Sequence, residues 1–119
     1  MDEGVTVNQI IKIIETFIQE NSQQQILKNY LNALQQAVTI LRDTTAWIIA
    51  QTKSNPAETG AASNDYLHLL ALVAFAYMWA NMAMIASAKS EETFYKAKLH
   101  TAEFFYKKVL PAIHTLKQN

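Results

Sequence analysis

Hydrophobic residues recur every three or four positions along most of the chain, which is the spacing of amphipathic helices. The first such segment covers about residues 5–20 and the second about residues 23–52. In the first, the apolar positions are Val7, Ile10, Ile11, Ile14, Phe17 and Ile18. In the second, they are Leu27, Leu31, Leu34, Val38, Leu41, Thr45 and Ile48. Seams this narrow predict helices that pack against neighbouring helices.

The third segment, about residues 64–88, has no charged residue between Tyr66 and Ala88. A helix of that length covers roughly 35 Å and could cross a bilayer. A helix that is apolar on every side is either a membrane span or the central helix of a soluble bundle. Because amphipathic segments flank it on both sides, we favour the bundle, with this helix enclosed by the other three, over a membrane span.

The last segment, about residues 91–117, repeats the alternating spacing. Its apolar positions are Tyr95, Leu99, Ala102, Tyr106, Val109, Ile113 and Leu116. Pro111 lies inside this run and predicts a kink near Lys107 to Leu110, because proline lacks an amide proton and displaces the preceding turn. The chain therefore predicts an all-α, up-down four-helix bundle over residues 1–119.

Local signals set the predicted helix ends. Capping is predicted at polar residues that precede each apolar run. These are Thr6, Ser22, Ser63, Asn64 and Ser90. Between about Thr52 and Ser63, Asn55 followed by Pro56 predicts one isolated helical turn, and Gly60 predicts a stop.

Composition agrees with a helical domain and narrows its chemistry. Half of the 119 residues are hydrophobic and 17% are charged, which excludes intrinsic disorder. Two glycines and two prolines are too few for the turns of a β-sandwich. The chain has no cysteine, and its ten basic residues balance ten acidic ones, so we expect no thiolate site and no nucleic-acid partner. An acidic start and the lack of cysteine predict a cytoplasmic location.

The sequence offers few groups for catalysis. A di-iron bundle needs two Glu-x-x-His pairs, and the nearest match is the single pair Asp65 and His68. His100 and Glu103 lie one turn apart, as is common on a solvated helix face. Two glycines cannot form a phosphate-binding loop. We therefore predict no catalytic, cofactor-binding or metal-binding residue in this chain.

Aromatic residues are more informative. Beside its predicted core seam, the fourth helix carries a second stripe that includes Phe94, Lys98 and Phe105, and the third helix carries Met78, Trp79 and Met82. We predict that one of these flanks docks on another protein surface. On that hypothesis Phe94→Glu combined with Phe105→Glu leaves the domain folded.

Several segments of the second to fourth helices carry a family resemblance. They include Thr45-Ala46-Trp47, Asn55-Pro56-Ala57, Asn64-Asp65-Tyr66-Leu67, Leu70-Ala71-Leu72-Val73-Ala74, Tyr77-Met78-Trp79-Ala80, Phe94-Tyr95-Lys96-Ala97-Lys98-Leu99, Ala102-Glu103-Phe104-Phe105 and Leu110-Pro111. This pattern resembles the extra C-terminal domain of large acyl-CoA dehydrogenases. The resemblance implies a helical bundle appended to an FAD-dependent dehydrogenase body, with the flavin, the acyl-CoA pocket and the catalytic glutamate upstream of it. It carries no catalytic residue onto this chain.

Three functions remain open at this point. The chain is the non-catalytic C-terminal bundle of a flavoenzyme that packs on the dehydrogenase body or a neighbouring subunit, so that it is a fragment of a larger protein. Alternatively, it is a free-standing adaptor that homo-oligomerises through its aromatic flank. A third alternative is a membrane-surface module that uses the basic last helix. The lysines available for that are Lys96, Lys98, Lys107 and Lys108.

Overall fold

A computed structural model describes residues 3–54, 59–89 and 92–116, with side chains described from residue 6 in the first range and from residue 64 in the second. These residues form helices and turns and no strand. Helix α1 spans Glu3–Glu20, a 3-10 turn at Gln25–Leu27 leads into α2 at Lys28–Ser54, α3 spans Thr59–Ser87, and α4 spans Thr93–Phe104. A π-helical turn at Phe105–Val109 and a 3-10 turn at Leu110–Ala112 join α4 to the short α5 at Ile113–Leu116. The predicted all-α bundle is confirmed.

Several predicted boundaries differ from the structure, and the starts of α2 and α3 differ most. Helix α3 begins at Thr59 rather than near residue 64, so Gly60 lies inside a helix and does not stop one. Ser22 does not cap α2, because its hydroxyl donates back to the carbonyl of Gln19 at 3.0 Å. The α1–α2 turn is held instead by the buried Asn21, whose amide donates to the carbonyl of Phe17 at 2.9 Å. The predicted turn at Asn55 and Pro56 and the cap at Ser90 lie outside the described residues.

Helices α2 and α3 form the centre of an elongated molecule that measures 54 × 25 × 21 Å. Helix α1 packs on α2, α4 packs on α3, and α5 touches both central helices. The core combines apolar residues from every helix. Its fully buried large side chains include Ile14, Leu27, Leu34, Leu41, Leu69, Val73 and Ile113. The apolar seams predicted from the sequence therefore do meet in one core.

Small residues form the packed face of α3. Ala76, Ala80, Ala83 and Ala86 have no exposed surface. Small side chains let neighbouring helix backbones approach closely, so α2 and α4 pack against this face. The opposite face carries larger apolar residues that remain exposed. The expectation that α3 is enclosed on all sides is therefore wrong, because α1, α2, α4 and α5 leave one side of it open.

Pro111 has the predicted effect on the last helix. The amide of Leu110 donates to the carbonyl of Phe105, five residues back, so the helix widens by one residue before the proline. Proline supplies no amide proton for the carbonyl of Lys107, and its ring pushes against that turn. Widening of this kind is the usual form of a π-bulge. The predicted kink near Lys107 to Leu110 is confirmed as this irregular turn.

Candidate docking surfaces

The described residues contain no group of three His, Cys, Asp or Glu side chains that could hold a metal ion. The one suggestive pair, Asp65 and His68, is exposed on α3, and His100 and Glu103 are exposed on α4. Gly4 and Gly60 both lie within helices, so neither belongs to a loop that could wrap a phosphate. The two glycines therefore do not fit the pyrophosphate of FAD, and we assign no chemical step to them or to the two side-chain pairs named above.

The exposed face of α3 is uncharged and mostly apolar along its length, with Asn81 as the one polar member of the stripe defined below. Four of its large side chains are Leu67 at 60% exposed, Phe75 at 50%, Met78 at 47% and Ile85 at 45%. We define the α3 stripe as the residues that recur at alternating intervals of four and three positions along this exposed face. They are Leu67, Ala71, Ala74, Met78, Asn81 and Ile85, with Phe75 and Met82 beside them. No charged residue interrupts this surface, which is unusual for a helix face in water.

A second apolar surface lies on α4. We call it the α4 stripe, and it consists of Phe94, Ala97, Thr101 and Phe104, all exposed and spaced three, four and three residues apart. Phe94 is 60% exposed and Phe104 is 61% exposed. The two rings lie about 15 Å apart along the helix axis, which is the rise of ten helical residues. Both therefore remain available to a partner on one side of α4.

The structure separates the six predicted interface residues into exposed, half-buried and buried ones. Phe94 and Met78 are exposed, whereas Trp79, Met82 and Lys98 are half-buried. The Lys98 ammonium lies 5.1 Å from the centre of the Phe94 ring, within the range of a cation–π contact.

Phe105 is not a surface residue. It is only 7% exposed and belongs to the core. The prediction that Phe105 belongs to an exposed flank is therefore wrong, and we expect Phe105→Glu to destabilise the domain, since a carboxylate there would be buried among apolar side chains. Its neighbour Phe104 takes the exposed position instead. No signal in the local sequence separates the two residues, because both Phe104 and Phe105 fall on a regular helical spacing from Phe94.

An open groove of about 920 Å³ runs between α1 and α3. Its floor includes Phe17 and Tyr77, whose rings meet edge to face with centres 5.4 Å apart. Ile13, 54% exposed, lies on the α1 side and Met84 lies on the α3 side. Lys12 and Glu20 also line it. The groove therefore offers an apolar floor with one charge of each sign beside it.

Two tyrosines join α2 to the irregular end of α4. The rings of Tyr30 and Tyr106 meet edge to face, 4.8 Å apart, and the Tyr106 hydroxyl donates to the carbonyl of Ala76 at 2.5 Å. Burial raises the pKa of Tyr106 well above its ordinary value. Burial, and to a smaller extent the charge of Glu103, raise the pKa of Tyr30. Both phenols stay protonated at neutral pH, which suits a structural hydrogen bond rather than proton transfer.

Within α3, residues Asn64–Ser87 form one helix that is long and apolar enough to cross a membrane. Its most apolar window is 39% buried within the protein. The buried part contains the alanine face that packs on α2 and α4, and the exposed part contains the α3 stripe. Length and hydropathy alone do not distinguish a span from the central helix of a bundle.

Comparison with known families gives one match. A family described as "Acetyl-CoA dehydrogenase C-terminal like" matches residues 10–119. The chain belongs to this family. The match covers all the helices except the start of α1, and it confirms the resemblance on which the sequence-based prediction rests. No curated protein and no solved structure matches the chain.

Membership defines the type of domain. This chain is a C-terminal-like domain of the acyl-CoA dehydrogenase family, and the family implies FAD in the parent enzyme. The α3 stripe, the α4 stripe and the α1–α3 groove are features of this chain's own surface.

Proposed function

We propose that this chain serves a flavin-dependent acyl-CoA dehydrogenase as a non-catalytic bundle that packs on the dehydrogenase body through the α4 stripe. On this proposal the flavin and the acyl-CoA substrate of fatty acid metabolism bind to the body, and the 119 residues are part of a larger assembly. The proposal extends family membership to a specific surface. A cytoplasmic location stays a prediction.

The observation that carries the proposal is the pair of exposed phenylalanines on α4. Phe94 and Phe104 expose 60% and 61% of their surface, although the adjacent Phe105, at the start of the π-helical turn, is buried. Aromatic side chains are common energetic anchors of protein interfaces, where each fills a pocket on the partner. Two rings about 15 Å apart suit two separate pockets on a different protein.

The composition of the α4 stripe and of its surroundings also suits an interface between two proteins. Ala97 and Thr101 separate the two rings and bring no charge into the centre of the surface. Lys96, Lys98 and Lys108 lie around it. Apolar centres with charged rims are typical of interfaces that must also be soluble when separated. The same lysines fit the membrane-surface alternative less well, because two half-exposed rings would then have to enter lipid from a helix that also carries Glu103.

Binding to the dehydrogenase body tests this proposal. The purified chain is titrated into the flavin-loaded body of the acyl-CoA dehydrogenase encoded with it, and the heat of binding is measured. We expect Phe104→Glu to weaken binding at least tenfold, because the variant places a carboxylate in an apolar pocket. The matched control is Ile26→Glu, at a residue that is 63% exposed on the turn before α2 and lies outside both stripes.

Three outcomes decide the question. Binding that Phe104→Glu weakens and Ile26→Glu does not supports the proposal. Absence of binding between the wild-type chain and the body contradicts it. Equal loss in both variants shows that the contact is not at the α4 stripe. Circular dichroism of each variant confirms that its helices are retained, so that a loss of binding is not a loss of fold.

A further inference from the structure

We infer that the α3 stripe pairs with the same stripe of a second copy of this chain, with the two α3 helices antiparallel. The inference goes beyond the proposed function and does not depend on it, because it concerns α3 whereas the contact with the body is assigned to α4.

Spacing supports pairing with another helix. From Leu67 to Ile85 the stripe alternates four and three residues throughout, which is the repeat of a helix that meets a second helix along a seam. The buried face of α3 has the same repeat, at Leu69, Val73, Ala76, Ala80 and Ala83, and that face does pack on other helices of this chain.

The stripe is close to symmetric about its midpoint, which favours two identical helices in antiparallel orientation. In that register Leu67 faces the second copy's Ile85, and Ala74 faces the second copy's Met78. Each central contact then joins a small side chain to a larger one, as interlocking packing requires. Parallel pairing would place Ala74 against its own equivalent and Met78 against its own, which leaves a gap in one layer and crowding in another.

Charge at the ends of the helix favours the same orientation. Asp65 precedes the stripe and Lys89 follows it, and both are exposed. Antiparallel pairing brings the acidic end of one copy towards the basic end of the other and opposes the two helix dipoles. Parallel pairing would bring like charges together. Between these two residues α3 carries no charge that pairing would have to desolvate.

The size of the stripe suits a reversible dimer. Large apolar side chains that are about half exposed present on the order of 100 Å² each. The four large residues of this face therefore present about 400 Å², and the small residues between them add to that area. Two copies together would bury on the order of 1,000 Å², near the lower limit of specific interfaces. We therefore expect a dimer that dissociates on dilution.

The first measurement is solution mass as a function of concentration, by sedimentation equilibrium. We expect the wild-type chain to form dimers, and Met78→Glu to raise the dissociation constant at least tenfold because two carboxylates would lie near the centre of the seam. Ile26→Glu is the matched control and should dimerise as the wild type does. Phe104→Glu should also dimerise normally, which distinguishes failure of this inference from failure of the proposed function.

The second measurement tests the orientation. The chain has no cysteine, so each introduced cysteine reports on a single position. Leu67→Cys and Ile85→Cys variants, one of them tagged, are oxidised separately and as a mixture. Antiparallel pairing predicts a mixed disulfide dimer and little product from either variant alone, because equivalent residues would lie about 27 Å apart. Cross-linking of each variant with itself, without the mixed product, would overturn the assigned orientation.

Three further results would overturn the inference. One is a wild-type chain that stays monomeric throughout the concentration range. The second is association with vesicles of neutral phosphatidylcholine that Met78→Glu abolishes, which would assign the α3 stripe to lipid. A dimer that Met78→Glu and Ile26→Glu weaken equally would show that the copies meet at another surface.

Discussion

We predict that replacing either of two adjacent threonines on α2 with valine changes the stability of the protein in opposite directions. Thr44 and Thr45 are 1% and 5% exposed. The Thr44 hydroxyl has no hydrogen-bond partner among the described residues. The Thr45 hydroxyl donates to the carbonyl of Leu41 at 2.7 Å and lies 2.8 Å from the hydroxyl of Tyr66. Valine has nearly the same shape as threonine, so each substitution chiefly removes a hydroxyl group.

The expected changes in the free energy of unfolding follow from the environments of the two hydroxyl groups. Burying an unpaired hydroxyl costs about 1–3 kcal/mol, so we expect Thr44→Val to increase the free energy of unfolding by about 1 kcal/mol. Removing a buried hydrogen-bond partner costs a similar amount, so we expect Thr45→Val to decrease that free energy by about 1–2 kcal/mol. Each variant is the control for the other, because the change in helix propensity and the retained β-branching are the same at both sites.

Urea unfolding followed by helical circular dichroism measures both variants. With a denaturant slope of about 1–2 kcal/mol per molar urea, a change of 1 kcal/mol moves the midpoint by about 0.5–1 M. The midpoint of Thr44→Val should lie above that of the wild type and the midpoint of Thr45→Val below it. Destabilisation by both variants to the same extent would refute the reasoning, because the Thr44 hydroxyl would then contribute as much as the paired one.

Three further predictions concern packing, protonation and surface charge. Ala80→Leu should lower the free energy of unfolding by about 1–3 kcal/mol, since α3 leaves no space there, whereas Ala50→Leu at an exposed position should change it by less than about 0.5 kcal/mol; equal urea midpoints would contradict this. Burial raises the pKa of Tyr106 above its value in the unfolded chain, so the contribution of its phenol to the free energy of unfolding is present below about pH 10 and is lost as pH rises further. In urea titrations from pH 8 to 11, the stability of Tyr106→Phe should therefore decline less than that of the wild type. Arg42→Ala removes an exposed ion pair with Glu15 of α1 and should lower the free energy of unfolding by less than about 1 kcal/mol. A larger loss of stability, measured from the thermal midpoint, would show that the contact is stronger than its exposure predicts.

Hydrophobic spacing was sufficient to predict the four main helical segments and most of the core. The seams of α1 and α2 are strongly periodic, and most of their apolar residues are buried. The beginning of α3 was predicted too late because Gly60 was treated as a stop signal. One glycine costs a helix only about 1 kcal/mol, which the packing of α3 on α2 can offset.

The surfaces were harder to predict than the core. In α3 nearly every residue is apolar, so the pattern gives no indication of which side packs inward. The packed side is the alanine face, and the larger residues Leu67, Phe75 and Ile85 are exposed. In α4 the choice between Phe104 and Phe105 depends on an orientation that differs by one residue. That orientation is set by contacts with other helices and is not encoded in the local sequence.

The central claim is that this C-terminal-like domain contributes contact surfaces to a flavoenzyme and not the flavin chemistry. The most direct test is the visible absorbance spectrum of the purified chain after expression with ample flavin, together with its ability to reduce an electron acceptor when acyl-CoA is supplied. The account predicts a colourless protein without dehydrogenase activity. Stoichiometric flavin absorbance, or reduction of the acceptor by the chain alone, would contradict it.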